Sequence, residues 1–229
     1  MTLKELQPTA IWHYFSEICT IPRPSKKEEQ VIAYLQKFGK EHGLETVVDA
    51  AGNVLIRKSA TAGYENHPTI IMQAHMDMVC EKNSDTVHNF ETDPIQPYID
   101  DEWVKARGTT LGADNGIGMA AQLAVLSANN LKHGPLECLF TVDEETGLTG
   151  AFALDKNLLT GSMLINLDSE DDGEFFIGCA GGIDTTVSFD YQPQPAPDGL
   201  FYFKVSVKGL TGGHSGDDID KGRANANKL

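Results

Sequence analysis

Apolar residues along the chain recur with two different spacings, and the two kinds of segment alternate. Residues 69–74 (TIIMQA), 136–142 (LECLFTV) and 162–168 (SMLINLD) are short, strand-like runs with little polar interruption. The first is an unbroken apolar run, as expected for a strand that is covered on both faces. Between the first two runs, residues 114–128 return to the spacing of a helix. Strands that alternate with helices predict an α/β layer structure with a largely parallel sheet.

The N-terminal part of the chain predicts two helices followed by a hairpin. The first helix is short and ends at the prolines of the IPRPS segment. The second begins at Ser25, where Ser25 and Glu28 have the spacing of a capping box, and it stops before Gly43. Residues 44–49 and 53–58 are strand-like and flank a Gly-Asn turn, so they predict an antiparallel hairpin that makes the sheet mixed.

Two parts of the chain depart from this alternation. Residues 81–107 are polar, contain prolines and are weakly periodic, so we expect them to leave the sheet. Residues 185–192 (TTVSFDYQ) and 200–210 (LFYFKVSVKGL) alternate as strands do, and residues 223–229 (RANANKL) predict the first turns of a helix. The predicted domains are a first α/β domain over residues 1–181 and the incomplete start of a smaller α+β domain over residues 182–229.

The charge of the chain excludes two classes of partner. The 229 residues carry a formal net charge of −15, whereas nucleic acid and anionic membranes both require a cationic face. The sequence has no run of ~18 apolar residues that could span a membrane, and its N-terminus lacks the pattern of a secretory signal. The 4 cysteines are scattered without a Cys-x-x-Cys pair, which favours free thiols in a reducing compartment. We therefore expect a cytoplasmic protein without nucleic-acid or membrane partners.

Side chains able to bind a cation follow the ends of the apolar strands. In open α/β sheets, ligands gather beyond the carboxyl ends of the strands, so these side chains are expected to converge. An imidazole among carboxylates favours zinc-like metals over magnesium or calcium, and carboxylates can bridge two ions. Asp77 lies on the same side of an extended chain as His75 and could orient its imidazole. The set comprises His75, Asp77, Asp114, Asp143, Glu144, Glu145 and Asp168.

Each of these residues alone has an ordinary structural interpretation. A histidine at a strand end is most often a loop residue, the Glu144–Glu145 pair could be a solvated surface, and Asp114 could cap a helix. Residues 116–121 (GIGMAA) match a dinucleotide-binding glycine pattern, but no buried strand precedes them as that motif requires. We instead expect these glycines to let the backbone turn tightly around Asp114.

Six motifs, in order along the chain, resemble one family. They are QAHMDMV, KARGTTLGADNGIGMA, TVDEETGLTGA, INLDSEDDGE, GCAGGID and GLTGGHSG, and the resemblance runs over essentially all of the chain. The chain is similar to the aminoacyl-histidine dipeptidases, also called Xaa-His dipeptidase, peptidase D or bacterial carnosinase, of the co-catalytic zinc peptidase superfamily. This resemblance implies a three-layer α/β/α catalytic domain over residues 1–181, with a mixed, largely parallel sheet, and the beginning of a lid domain over residues 182–229.

The resemblance also implies a set of metal ligands. His75 and Asp168 would hold one Zn²⁺, Glu145 would hold the other, and Asp114 would bridge the two. The family commonly has a cis peptide bond after the bridging aspartate, which here is the bond between Asp114 and Asn115. Co²⁺ and Mn²⁺ are alternative metals for such a centre.

The implied reaction is the metal-dependent hydrolysis of Xaa-His dipeptides such as β-alanyl-histidine. Two zinc ions would activate a shared water, and Glu144 would take its proton as the general base. Asp77 would support His75, and His214 of the lid would contact the substrate and stabilise the oxyanion. The choice of histidine in the substrate rests on the resemblance alone, which also suggests a homodimer.

Two alternatives stay open at this point. A related N-acyl amino-acid deacylase would use the same dinuclear centre. The family also has a further zinc-binding histidine far downstream, and its members are much longer, so the chain is expected to be an N-terminal fragment that lacks this ligand. Such a fragment would be catalytically incomplete and would associate through its exposed sheet edge.

Overall fold

The chain folds into two compact units, Met1–Gly178 and Cys179–Leu229. A computed structural model describes residues 2–169, 173–179, 181, 183, 185–213, 218 and 220–229. In the first unit the helices are α1 (Thr9–Ile18), α2 (Glu29–Glu41), α3 (Ala113–Ser127) and α4 (Thr149–Phe152). Its strands are β1 (Glu45–Val48), β2 (Val54–Lys58), β3 (Ile70–His75), β4 (Pro97–Asp100), β5 (Trp103–Ala106), β6 (Leu136–Thr141) and β7 (Met163–Asn166).

Five strands form one mixed sheet in the order β1-β2-β6-β3-β7. The predicted hairpin is β1–β2, and β2 also pairs antiparallel with β6. The three apolar runs form β3, β6 and β7, and β3 lies parallel between the other two. This sheet and its helices confirm the predicted α/β class. Since the three parallel strands end at the same edge of the sheet, the residues that follow them are brought together there.

The core lies on both faces of the sheet because side chains alternate along each strand. On one face, Ile56 of β2 and Phe140 of β6 belong to the main apolar cluster, which includes the buried faces of α1, α2 and α3. On the other face, Leu55 and Leu139 pack with Leu158, which follows α4. Neighbouring residues of one strand are therefore buried in different layers, as predicted for the run that became β3. The run that became β7 differs, because all four residues of this edge strand are exposed.

The segment before α2 differs from its prediction. Ser25 and Glu28 do not form a capping box, since the first turn of α2 has no side-chain cap. The hydroxyl of Ser25 instead donates to the carboxylate of Asp77 at 2.7 Å, and Glu28 accepts the N–H of Asp143 at 3.0 Å. The prediction is wrong because partners 52 and 115 positions away take the polar groups that a helix end would otherwise use. The predicted stop is confirmed, because α2 ends just before Gly43, which has a φ of +65°.

Residues 81–107 leave the main sheet, as predicted, but they contain a small second sheet. Strands β4 and β5 pair antiparallel, with Tyr98 opposite Lys105 and Asp100 opposite Trp103. Each strand has only four residues, so neither shows enough alternation to be recognised from the sequence.

The second unit contains no strand among its described residues, and its regular structure there is a 3₁₀ helix, Ala226–Lys228. The prediction of strands over residues 185–192 and 200–210 is therefore wrong for this structure. Alternation indicates which side chains share a face, but a strand also needs a hydrogen-bonded neighbour, and none pairs with these described segments. Their large side chains are exposed; Phe189, for example, is 83% accessible. The catalytic and lid roles of the two predicted domains stay predictions.

None of the helices in the described part of the chain combines the length and the apolar character needed to cross a bilayer.

Candidate metal centre

The candidate metal ligands meet at the edge of the sheet where the parallel strands end. His75 is the last residue of β3 and lies opposite Thr141, the last residue of β6. Glu144 and Glu145 follow within a few residues of β6, and Asp168 follows β7. Parallel pairing therefore brings three separate loops to one place, as expected from the sequence.

Two groups of ligand atoms share His75. The ligand atoms of His75, Asp114 and Asp168 lie within 4.8 Å of one another, and so do those of His75, Glu144 and Glu145. The Nε2 atom of His75 is 2.8 Å from Oδ1 of Asp114 and 3.7 Å from Oδ1 of Asp168. His75 is 1% exposed, whereas the side chain of Asp114 is 57% exposed. The centre thus has a buried imidazole at its base and carboxylates that open towards solvent.

The backbone around Asp114 directs its carboxylate to His75. Asp114 lies in the first turn of α3 but has non-helical torsions, with φ −78° and ψ 112°, and Gly112 before it has a φ of +69°. The peptide bond between Asp114 and Asn115 is cis, which confirms the expectation drawn from the resemblance. The chain turns at Gly112 and Asp114, whereas Gly116 and Gly118, the glycines expected to allow the turn, have ordinary helical torsions.

Asp77 supports His75 and also holds the loop that follows β6. The Nδ1 atom of His75 donates to the carbonyl oxygen of Asp77 at 3.1 Å and lies 3.2 Å from its Oδ1, so Nε2 faces the candidate metal position. The same carboxylate accepts the N–H groups of Glu144 at 3.0 Å and Glu145 at 3.1 Å, together with the hydroxyl of Ser25. One buried side chain therefore orients residues from both ligand groups.

The electrostatics of the centre favour a bound cation. Burial and then the charge of Asp114 raise the pKa of Glu145 to about 7. Burial raises the pKa of Asp168 to about 6; the charge of His75 opposes this rise, whereas the charge of Asp114 and its hydrogen bond add to it. Burial opposes protonation of His75, but hydrogen bonds to Asp114 and Asp77 outweigh it and raise its pKa to about 10. The carboxylates thus attract a proton to His75, and a divalent cation would replace that proton, so the donor set fits a zinc-like metal.

One candidate residue, Asp143, lies apart from this group. Asp143 is buried, with 2% exposure, and its carboxylate accepts the hydroxyls of Thr146 and Thr149. It therefore shapes its own loop and lies outside both ligand groups found among the described residues. His214, the candidate substrate-binding residue, lies outside the described residues.

Three side chains that support the loops of the centre were not identified from the sequence. Arg23, Ser25 and Glu28 all lie in the segment between α1 and α2, and each bonds to a loop that carries candidate ligands. The capping-box pattern pointed to Ser25 and Glu28 but assigned them a local role. No pattern singled out Arg23, because its partners are carbonyl groups 53 to 89 positions away.

A cavity of about 250 Å³ opens beside the centre in the first unit. Glu144 and Asp168 lie at its polar side, and Leu139, Leu154 and Leu164 contribute apolar walls. A small organic molecule could thus lie with one part against apolar surface and another beside the carboxylates.

Comparisons with known proteins relate the chain to peptidases. The family model described as Peptidase family M20/M25/M40 matches residues 71–208. The chain is 56% identical to the cytosol non-specific dipeptidase of Escherichia coli (strain K12) over 227 residues, which cover 99% of this chain and 47% of that protein. Its structure is similar to that of an aminoacylhistidine dipeptidase from Vibrio alginolyticus, with a TM-score of 0.78 and 47% identity, covering 100% of this chain and 46% of that one.

A more distant similarity is to aminopeptidase PepT from Bacillus cereus, with a TM-score of 0.61 and 29% identity over 71% of this chain and 43% of that one. The chain spans about half the length of the curated relatives it matches.

Proposed function

Because the chain belongs to peptidase family M20/M25/M40, we propose that it forms the metal-binding part of a dipeptidase that hydrolyses its substrate with two zinc ions. The observation that supports this most directly is the pair of ligand groups that share His75 at the carboxyl edge of the sheet. The imidazole of His75 can bind only one ion through Nε2, so a second ion would depend on the carboxylates gathered around it, and carboxylates can bridge two ions.

The proposed ligands divide between the two metal positions. His75 and Asp168 hold one ion, Glu145 holds the other, and Asp114 lies between them as the bridge. When bound, the ions supply Lewis-acid activation of a water molecule and of the scissile carbonyl. Co²⁺ and Mn²⁺ could replace Zn²⁺ because the same mixture of imidazole and carboxylate suits them.

Glu144 is the proposed general base. Its backbone N–H donates to Asp77, and its carboxylate belongs to the same ligand group as the imidazole of His75 and the carboxylate of Glu145. A carboxylate in this position accepts the proton of the attacking water and then donates it to the leaving amine. Asp77 acts by orientation, since its carboxylate fixes both His75 and the Glu144–Glu145 backbone. His214 is proposed to contact the substrate and the oxyanion.

The proposed substrate is an unblocked dipeptide, with Xaa-His dipeptides such as β-alanyl-histidine as the first candidates. The similar protein from Vibrio alginolyticus is named for aminoacylhistidine, whereas the one from Escherichia coli is named non-specific. The cytosolic name of the latter supports a cytoplasmic location, and a homodimer is the proposed assembly. The net charge of −15 supports the absence of nucleic-acid and membrane partners.

Native mass spectrometry combined with a hydrolysis assay tests this function. We expect the chain to retain zinc, His75→Ala to lose it, and Glu144→Gln to retain it while any hydrolysis of β-alanyl-histidine falls by at least about 100-fold. The assay compares β-alanyl-histidine with N-acetyl amino acids as substrates. Cleavage of N-acetyl amino acids but of no dipeptide would indicate a deacylase, and zinc binding that survives His75→Ala would contradict the proposed ligand set.

A further inference from the structure

Arg23 is a buried cation directly behind the candidate metal centre. It lies in the segment between α1 and α2 and is 2% exposed. Its Nη1 atom donates to the carbonyl oxygens of Met76 at 2.9 Å and Asp77 at 2.8 Å, and its Nη2 atom donates to the carbonyl oxygen of Gly112. One guanidinium group therefore binds the loop after β3 and the residue that precedes α3.

The two segments that Arg23 binds are next to the candidate ligands His75 and Asp114. Met76 and Asp77 follow His75 directly, and Gly112 lies two positions before Asp114. The two segments are far apart in sequence, and the forked guanidinium can bond to both at once because it has donors on separate nitrogen atoms. Arg23 thus helps to set the distance between the imidazole of His75 and the carboxylate of Asp114.

The glycines around Asp114 leave room for this guanidinium. A Cβ atom at Gly112 would lie 2.5 Å from Nη2 of Arg23, and one at Gly116 would lie 2.8 Å from the same atom. Both distances are too short for real side chains, and Arg23 is enclosed on all sides, so it could not move away without breaking its bonds. The lack of a side chain at Gly112 and Gly116 thus allows the close approach of Arg23.

We propose that Arg23 is a positioning residue that holds the His75 loop and the Asp114 turn at metal-binding distance, a role that rests on the proposed function. Arg23 touches neither the metals nor the substrate, and it acts through the backbone that carries the ligands. A lysine at this position would keep the charge but could not reproduce the fork between two segments. Residues that support metal ligands typically affect metal affinity by about 10- to 100-fold.

Arg23→Lys tests this role, with Arg57→Lys as the matched control. Arg57 is also a forked residue that joins distant segments, since it bonds to Glu137 and to the carbonyl oxygen of Leu158, but it contacts no candidate ligand. Zinc affinity is measured by competition with a chromogenic chelator, well below the unfolding temperature of each variant. Hydrogen–deuterium exchange of the metal-free protein is followed in residues 76–79 and 112–116.

We expect Arg23→Lys to weaken zinc binding by about 10- to 100-fold and to speed exchange in both segments. Arg57→Lys should lower stability without either effect. Unchanged zinc affinity and unchanged exchange in Arg23→Lys would overturn the positioning role. If the unsubstituted chain bound no zinc, the proposed function would fail, and the exchange of the two segments would still decide the role of Arg23.

Gly116→Ala provides a second variant if Arg23→Lys does not fold. It keeps the charge of Arg23 but displaces the guanidinium from its site, so we expect the same loss of zinc affinity. A Gly116→Ala protein that binds zinc as tightly as the unsubstituted chain would overturn the inference.

Discussion

Replacing Asp77 by asparagine tests how much the orientation of the candidate ligands contributes to stability and zinc binding, because the ligands themselves are left unchanged. The substitution keeps the shape of the side chain but removes its charge and turns one acceptor oxygen into a donor. Asp77 accepts from Ser25, Glu144 and Glu145, and it also faces Nδ1 of His75. In the asparagine variant the side-chain NH₂ group could donate to the hydroxyl oxygen of Ser25. The same NH₂ group would then lie against the backbone N–H of Glu145, and two donors cannot form a hydrogen bond.

The structure sets the size of this effect in two ways. Burial raises the pKa of Asp77, but its hydrogen bonds outweigh burial and lower the pKa from 3.8 to about 2, a stabilisation of the charged form by about 2 kcal/mol. Leaving one buried N–H without an acceptor costs about 1 to 3 kcal/mol. The two figures are not added, because the lowered pKa already includes the hydrogen bond from Glu145. We therefore expect Asp77→Asn to lower the free energy of unfolding of the metal-free protein by about 2 to 3 kcal/mol at neutral pH.

Urea unfolding in the presence of EDTA measures this loss, and a chelator competition measures zinc affinity, which should fall by about 10- to 100-fold. Asp49→Asn is the control, because Asp49 accepts the N–H groups of Ala51 and Asn53 and the side-chain amide of Asn53 but contacts no candidate ligand. It should lower stability and leave zinc affinity unchanged. A loss of less than about 0.5 kcal/mol in Asp77→Asn, or a loss without any change in zinc affinity, would refute this reasoning.

Two further predictions concern pH and packing. In the metal-free protein the pKa of Glu145 is raised from 4.5 to about 7 and that of His75 from 6.5 to about 10, so the stability that their protonated forms contribute is complete at low pH and is lost as the pH rises through these values. The urea midpoint of unfolding, measured in EDTA, should therefore decrease as the pH is raised from 5 to 8. The increase of this midpoint on adding zinc should become larger over the same range. A midpoint in EDTA that does not change with pH would contradict the raised pKa values. Gly150→Ala should destabilise the protein by about 1 to 3 kcal/mol in urea unfolding, because the new Cβ would lie 2.4 Å from the backbone oxygen of Val142; an unchanged midpoint would show that α4 can move away from β6.

The elements that could be predicted from the sequence are those in which the pattern of apolar and polar residues depends on the surroundings of a few consecutive residues. The runs that became β3 and β6 are apolar because residues on both faces of these strands pack into the core, and that condition is visible in a few consecutive residues. The run that became β7 is equally apolar, but it lies at the edge of the described sheet and its residues are exposed. The position of the candidate ligands could also be anticipated, because parallel strands end at one edge and carry His75, Glu145 and Asp168 there. Their assignment to individual metal ions came from the family resemblance and stays a prediction.

Other features were decided by contacts that no local pattern records. Ser25 and Glu28 have the spacing of a helix cap, yet their partners are Asp77 and the N–H of Asp143. In the second unit, alternating residues predicted strands over 185–192 and 200–210, but alternation does not supply the neighbouring strand that hydrogen bonding requires. No pattern pointed to Arg23, because every residue has a backbone carbonyl that can accept from an arginine, and the glycines that leave room for it were attributed to the turn around Asp114.

The α/β class, the strands that end at the centre and the types of side chain that meet there could be predicted from the sequence, because hydrophobic periodicity and ligand chemistry are properties of short segments. The contacts that hold these side chains form only in the folded chain. Asp77 holds His75 and the Glu144–Glu145 loop, and Arg23 holds the turn before Asp114. Buried polar groups must find partners, and in a folded chain those partners are chosen by distance in space and not by distance in sequence.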